Sequence, residues 1–218
     1  MKVVQGQIEG GIEVGNHYDK YGSTNPIARY LMQGFTDALD ALVEKTGAQN
    51  IHEVGCGEGH WTLRWLSQGK QVRGCDFSSI AISLANQNAL EAKLPVRNEA
   101  GQATFSQKSI YDLTGNDVAP LVVCCEVLEH LEYPIEALQK LTEIADPWLI
   151  LSVPREPIWR LLNLSRGKYF TSLGNTPGHI QHWSTTGFLE MVSEYAEIVE
   201  FKTPLPWTIV LCKVKNKD

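Results

Sequence analysis

An α/β fold, with a doubly wound, mostly parallel seven-stranded sheet closed by a C-terminal antiparallel hairpin, follows from three features of the chain. Apolar runs of strand length alternate with amphipathic helical patterns from residue 50 to residue 153. The runs are continuously apolar, the pattern of strands buried on both faces of a parallel sheet. The last two runs, Glu197–Lys202 and Trp207–Lys213, have no helix between them and so pair antiparallel if they pair.

The elements follow in order. Residues 1–23 are Gly-rich and polar, with an aromatic cluster in 16-NHYDKYGS-23. Ile27, Tyr30, Leu31, Phe35, Leu39 and Leu42 recur at helical spacing across 24–47, and Gly47 is a stop signal. Strands are predicted at Asn50–Val54, Gln71–Asp76, Thr104–Ser109, Leu121–Cys125 and Trp148–Val153, with helices at Trp61–Gln68, Ser79–Ala92 and Tyr133–Ala145. Trp61 and Trp65 lie four apart and read as core. A helix over Ser184–Ala196, capped by Thr185 or Thr186, precedes the hairpin. The segment Pro154–Ser184 is too long for a simple connection, and it follows the fifth strand, where ligands bind in this architecture.

Composition narrows the function classes. The chain has 218 residues, 43% of them hydrophobic and 20% charged, which suits one globular domain. The net charge of -6 weighs against a protein that grips long nucleic acid, since phosphate neutralisation needs a basic surplus. The five cysteines are odd in number, four lie in or beside apolar runs, and none forms a metal-type CxxC pair; reduced thiols in a cytoplasmic protein are expected. No apolar stretch approaches the length of a membrane span, and residues 1–11 lack a signal-peptide core.

The stretch 51-IHEVGCGEGHWTLRWL-66 places Gly55, Gly57 and Gly59 between a strand and a helix. Glycines allow positive φ and close approach of a ligand, and N–H groups at a helix start favour anionic or polar groups. The spacing is GxGxG rather than the GxGxxG of a dinucleotide site, and Glu53, two residues earlier, would repel a pyrophosphate. An acid there suits a ligand carrying an ammonium group. The next strand ends in Asp76, placed to accept hydrogen bonds from a ribose diol. The third ends at Ser109-Ile110, a polar group and an apolar side chain for an adenine, and the fourth runs into acids in 121-LVVCCEVLEHLE-132.

Together these four motifs, spread over residues 45–155, resemble the class I S-adenosylmethionine-dependent methyltransferases, with their Rossmann-like fold. The resemblance implies S-adenosylmethionine as cofactor. It implies that Gly55, Cys56, Gly57 and Gly59 wrap the methionine portion, with Glu53 and Cys125 at the methionyl end. Asp76 takes the ribose hydroxyls, Phe77 beside it is a further cofactor contact, Ser109 and Ile110 flank the adenine, and Tyr18 or Tyr21 of the N-terminal cluster covers the site. One methyltransferase domain then spans 1–218, with an N-terminal arm and helix in 1–47 and a substrate-side insertion in 155–184.

Glu126, Glu129 and His130 stand at i, i+3 and i+4 and would share one face of a helix. Two carboxylates and an imidazole suit a divalent cation, with His179 or His182 of 178-GHIQHWS-184 as a further ligand. The run resembles those of the ubiquinone-biosynthesis O-methyltransferases and the small-RNA 3′-terminal 2′-O-methyltransferases. That resemblance implies Glu126, Glu129, His130 and His179 as ligands of a divalent cation such as Mg. A metal-free catalytic role for His130 or His179 and a purely structural role remain open beside it.

In the insertion, Ile158, Trp159, Leu161, Leu162 and Leu164 lie beside Arg155, Arg160, Arg166 and Lys168. A helix over 155–170 can be a lid, a membrane-surface or lipid contact, or a site for anionic substrates. The expected function is O-methylation of a hydroxyl on a small, partly apolar molecule. The alternatives are metal-dependent 2′-O-methylation of an RNA 3′ end, which the acidic charge disfavours, and a non-catalytic binding module on the same fold.

Overall fold

The computed structural model describes residues 1–4, 6–9, 12–15, 21–97, 101, 104–165, 173–176 and 178–214. A small antiparallel pair, β1 (Ile8–Glu9) and β2 (Ile12–Glu13), is followed by α1 (Pro26–Thr46). Then come β3 (Asn50–Val54), α2 (His60–Ser67), β4 (Gln71–Asp76), α3 (Ser79–Glu91), β5 (Phe105–Gln107), β6 (Ala119–Cys125), α4 (Pro134–Ile144) and β7 (Ala145–Pro154). The chain ends in α5 (Ile158–Ser165), α6 (Thr185–Ser193), β8 (Glu197–Lys202) and β9 (Trp207–Lys213). The seven-stranded sheet has the order β5-β4-β3-β6-β7-β9-β8. Its first five strands are parallel, and β9 pairs antiparallel with both β7 and β8.

Both faces of the sheet are buried, which is why the strands read as unbroken apolar runs. Along β6, Leu121 and Val123 pack on the side of α1 and α2, while Val122 and Cys124 face α4 and α6. β9 repeats the device with Ile209 and Leu211 against Val210 and Cys212. The α1 stop is the predicted Gly47, at φ 67, and its start is capped by Asn25, whose side chain accepts from the Ile27 and Ala28 amides. Trp61 and Trp65 are buried, as expected.

Three expectations need correction. The strand predicted over Thr104–Ser109 is only Phe105–Gln107, because Thr104 bonds to the Val96 carbonyl and Ser109 turns to cap a short 3-10 turn at Ile110–Asp112. Ile27 and Tyr30 are exposed at 67% and 74%: they lie in the first turns of α1, ahead of its first buried residue, Phe35. The β1–β2 pair gave no strand signal, since each strand has two residues. Packing also requires a glycine at position 59: at φ 84, its Cβ position lies 2.8 Å from the Phe105 ring and 3.2 Å from Ala85.

Gly59→Ala is therefore expected to destabilise the protein by about 1–3 kcal/mol through strain and overpacking, read as a lower urea midpoint at unchanged slope.

Candidate functional site

The chain runs from β3 outward to β4 and β5, then crosses to β6 on the other side of β3. A crevice opens at that switch point, at the carboxyl end of the sheet, beside the loops that leave β3 and β6. They approach so closely that a Cβ on Gly55 (φ 75) would lie 2.3 Å from the Val127 Cγ2. A cavity of about 740 Å³ fills the crevice. Glu53, Gly55, Cys56, Gly57, Asp76, Phe77, Ser109, Ile110 and Cys125 line it; Gly59 does not, and Tyr18 lies outside the described residues.

The glycine loop is tied to β4. The Gly55 and Cys56 amides donate to the Cys75 carbonyl at 2.8 and 3.0 Å, the Gly57 amide to Asp76 Oδ2 at 2.9 Å, and the Gly59 amide to the Cys56 carbonyl at 2.9 Å. These amides are engaged inside the protein, so they are not the free N–H groups, open to anionic or polar groups, that the sequence suggested. The cavity wall is correspondingly acidic. Glu53, Glu58, Asp76, Glu126 and Glu129 line it, against Lys108, whose ammonium already pairs with Asp117 at 2.8 Å. Such a wall favours a cationic ligand and disfavours a pyrophosphate.

Glu53 is 3% exposed, and its Oε2 accepts both the amide and the hydroxyl of Thr62. Burial pushes its carboxyl up from 4.5 to about 8; the Thr62 hydrogen bonds oppose the rise and the Asp76 charge adds to it. Asp76 is likewise raised by burial, against hydrogen bonds from the Ser78 and Gly57 amides.

At the other end of the cavity, Glu129, His130 and His179 offer ligand atoms that all lie within 4.8 Å of one another. The His130 Nδ1–H donates to the Gly178 carbonyl at 3.0 Å, which turns Nε2 toward the group. The two imidazoles meet edge to face at 4.8 Å. His179 is held by its amide on the Thr176 carbonyl and by its carbonyl on the Asn175 side chain. His182 points elsewhere, bonding Asn175 Oδ1 at 2.8 Å.

Glu126 does not share a face with Glu129 and His130. It sits at φ 60, a left-handed conformation costing a non-glycine residue roughly 1 kcal/mol, and only Leu128–His130 form a 3-10 turn. Its carboxylate accepts from Ser152 Oγ at 2.9 Å and from the Trp207 indole N–H at 2.6 Å.

The apolar wall was invisible as a site in the sequence. Trp159 and Leu162 of α5, Trp207 of β9, and Leu31 and Met32 of α1 line the cavity. Tyr21 also lines it and stacks on His60 with centroids 3.4 Å apart. Trp159 stacks on His179 at 5.6 Å and donates its indole N–H to Thr176 Oγ1 at 2.9 Å. Of the predicted insertion helix, Ile158–Ser165 is helical, while Arg166 and Lys168 lie outside the described residues.

A family model described as a methyltransferase domain matches residues 52–147, from β3 to the start of β7. Residues 52–147 of the chain thus match a methyltransferase domain. The methyltransferase fold extends over the whole sheet. Magnesium protoporphyrin IX methyltransferase of Synechocystis PCC 6803, solved with bound SAM, superposes with a TM-score of 0.65 at 18% identity over 92% of each chain. The methyltransferase domain of bacterial CtHen1-C does so with a TM-score of 0.64 at 20% identity, over 85% of this chain and 100% of that one. Among curated proteins, the ubiquinone biosynthesis O-methyltransferase of Nitrosospira multiformis is 28% identical over 149 residues, 66% of this chain and 57% of that protein. The tRNA N(3)-methylcytidine methyltransferase trm140 of Schizosaccharomyces pombe is 32% identical over 94 residues, 41% of this chain and 27% of that protein. The chain thus spans less than two thirds of the length of either relative. Among the described residues, no helix is long and apolar enough to cross a membrane.

The raised Glu53 gives a stability signature. Its contribution is complete below about pH 4.5, where folded and unfolded forms are both protonated, and is lost as pH rises through about 8, where the buried carboxyl must ionise. Glu53→Gln keeps an oxygen for Thr62 and removes that loss. The melting temperature of wild type should fall relative to the variant between pH 5 and pH 9, whereas parallel curves would place Glu53 in an ordinary environment.

Proposed function

We propose that this protein transfers the methyl group of S-adenosylmethionine to a hydroxyl of a small, partly apolar acceptor. The observation that carries the reading is one continuous cavity with an acidic glycine-loop end and an aromatic, histidine-bearing end. The sulfonium and the ammonium of the cofactor belong at the first end, near Glu53 and the Gly55–Gly57 loop. Asp76 takes the ribose hydroxyls, and Ser109, Ile110 and Phe77 flank the adenine. Tyr21 and the first turns of α1 shield the site from water.

The reaction needs alignment and one proton transfer. The acceptor oxygen attacks the methyl carbon in line as the carbon–sulfur bond breaks, and the cofactor leaves as the neutral sulfide S-adenosylhomocysteine. The hydroxyl proton passes to an imidazole nitrogen, with His130 Nε2 oriented for it by the Gly178 hydrogen bond and His179 beside it. The donor set of Glu129, His130 and His179, one carboxylate and two imidazoles, also fits a divalent cation, a softer ion such as Fe or Zn better than the oxygen-preferring Mg; Glu126 lies outside the cluster, bonded to Ser152 and Trp207. A bound cation would lower the pKa of the acceptor hydroxyl. The vicinal hydroxyls of an RNA 3′ end are the second acceptor this cluster suits, with the net charge of -6 against it. Exposed Leu161, Leu173 and Ile180 around α5 keep a lipid-borne acceptor within the reading.

Calorimetry with S-adenosylhomocysteine and NAD tests the cofactor: binding of the first and not the second is expected, and the reverse overturns the reading. Asp76→Asn should weaken S-adenosylhomocysteine by roughly ten- to hundredfold, the worth of charge-assisted hydrogen bonds to the ribose. A cationic ligand requires ionised Glu53, so affinity should fall below about pH 8, by up to about tenfold per pH unit, and Glu53→Gln should flatten that dependence. Tritium from methyl-labelled cofactor should enter phenols and catechols in preference to 3′-terminal ribonucleotides. Transfer unaffected by exhaustive chelation would remove the cation from the reading.

A further inference from the structure

We propose that Glu126 is a positioning residue that sets the aromatic wall of the acceptor end, acting through Trp207 rather than as a member of the acid–histidine cluster. The proposal rests on the reading of that end of the cavity as the acceptor site.

Glu126 follows the last residue of β6, and its positive φ turns the chain out of the strand direction. Its amide donates to the Ser152 carbonyl at 3.1 Å, and its carboxylate accepts the Ser152 hydroxyl at 2.9 Å. The second carboxylate oxygen reaches past β7 to the Trp207 indole N–H on β9 at 2.6 Å. Three adjacent strands are thereby joined at their cavity ends by one side chain. A hydrogen bond to a carboxylate is short and strong beside one to a neutral acceptor, so the indole plane is held firmly.

The orientation is passed on by ring contacts. Trp207 lies against Trp159 with centroids 5.9 Å apart, Trp159 stacks on His179 at 5.6 Å, and His179 meets His130 at 4.8 Å. Glu126 and all four rings line the cavity. On the far side, Phe35 of α1 packs edge-on against Trp207 at 5.0 Å, so the indole cannot drift toward the helix. Thr176 holds the Trp159 N–H and the His179 amide, giving the wall an anchor in the loop to match the one in the sheet. The left-handed turn at Glu126 is what separates these duties: it sends residue 126 sideways along the strand ends, while the turn at Leu128–His130 carries Glu129 and His130 to the cluster.

The test uses the full chain and three variants, Glu126→Ala, Glu126→Gln and Trp207→Phe. The side-chain imidazole resonances of His179 are read by NMR without ligand, and affinity for S-adenosylhomocysteine is read by calorimetry. In Glu126→Ala and Trp207→Phe the ring-current shift of His179 from Trp159 should be lost or altered. Glu126→Gln should restore the wild-type His179 signals, since its amide oxygen accepts the indole N–H and its amide nitrogen donates to Ser152. His179 signals unmoved in both Glu126→Ala and Trp207→Phe overturn the proposal, as does Glu126→Gln behaving like Glu126→Ala. If Glu126→Ala fails to fold, Trp207→Phe and Glu126→Gln carry the comparison. A wild type that binds no S-adenosylhomocysteine sinks the cofactor assignment alone, because the histidine signals are read without it.

Discussion

The carbonyl of Cys75 and the carboxylate of Asp76, at the end of β4, hold the amides of Gly55, Cys56 and Gly57 at the end of β3. Neighbouring strand ends are thus joined by a loop that would otherwise be an open turn. The bonds consume the N–H groups that make most glycine loops attractive to phosphate. What remains toward the cavity is acidic, and the preference for a positively charged ligand follows. The glycines are required because the loop must turn through positive φ and pass within contact of Val127 at the switch point.

The two ends of the cavity solve different problems. At the glycine loop, burial works against the charge of Glu53 and leaves a carboxyl that ionises readily only when a cation arrives. At the far end, no single charge dominates. Stacked rings, one carboxylate clamp and two histidines define a surface whose geometry comes from packing, so its selectivity depends on distances that α5, β9 and the loop at 173–184 set together.

Much of the cavity lining was legible because it sits at strand ends. An apolar run that stops at a glycine or an acid announces both the strand and the residue at its end, which is how Glu53, Asp76 and Ser109 emerged, whereas Cys125 came only from the family resemblance. Gly59 looked equivalent to Gly55 and Gly57, yet its Cβ position is closed off by Phe105 of β5 and Ala85 of α3. Trp159 and Trp207 read as ordinary apolar positions, since nothing in their neighbours distinguishes a ring facing a cavity from a ring facing core. The spacing of Glu126, Glu129 and His130 suggested one helical face, and a single left-handed residue undid it.

By itself the sequence determined the alternation of strand and helix, the two-sided burial of the sheet, the terminal hairpin and the acidic character of the glycine loop. These depend on local pattern: continuous apolar runs, helical periodicity and the identity of residues where the runs end. The tertiary structure alone decided which amides were already satisfied, how far burial displaces Glu53, and which of three nearby acidic and basic side chains meet His179. Those outcomes depend on distances between segments remote in the chain, from 53 to 62, from 126 to 207 and from 130 to 179. Local spacing constrains such distances only where the backbone between stays regular.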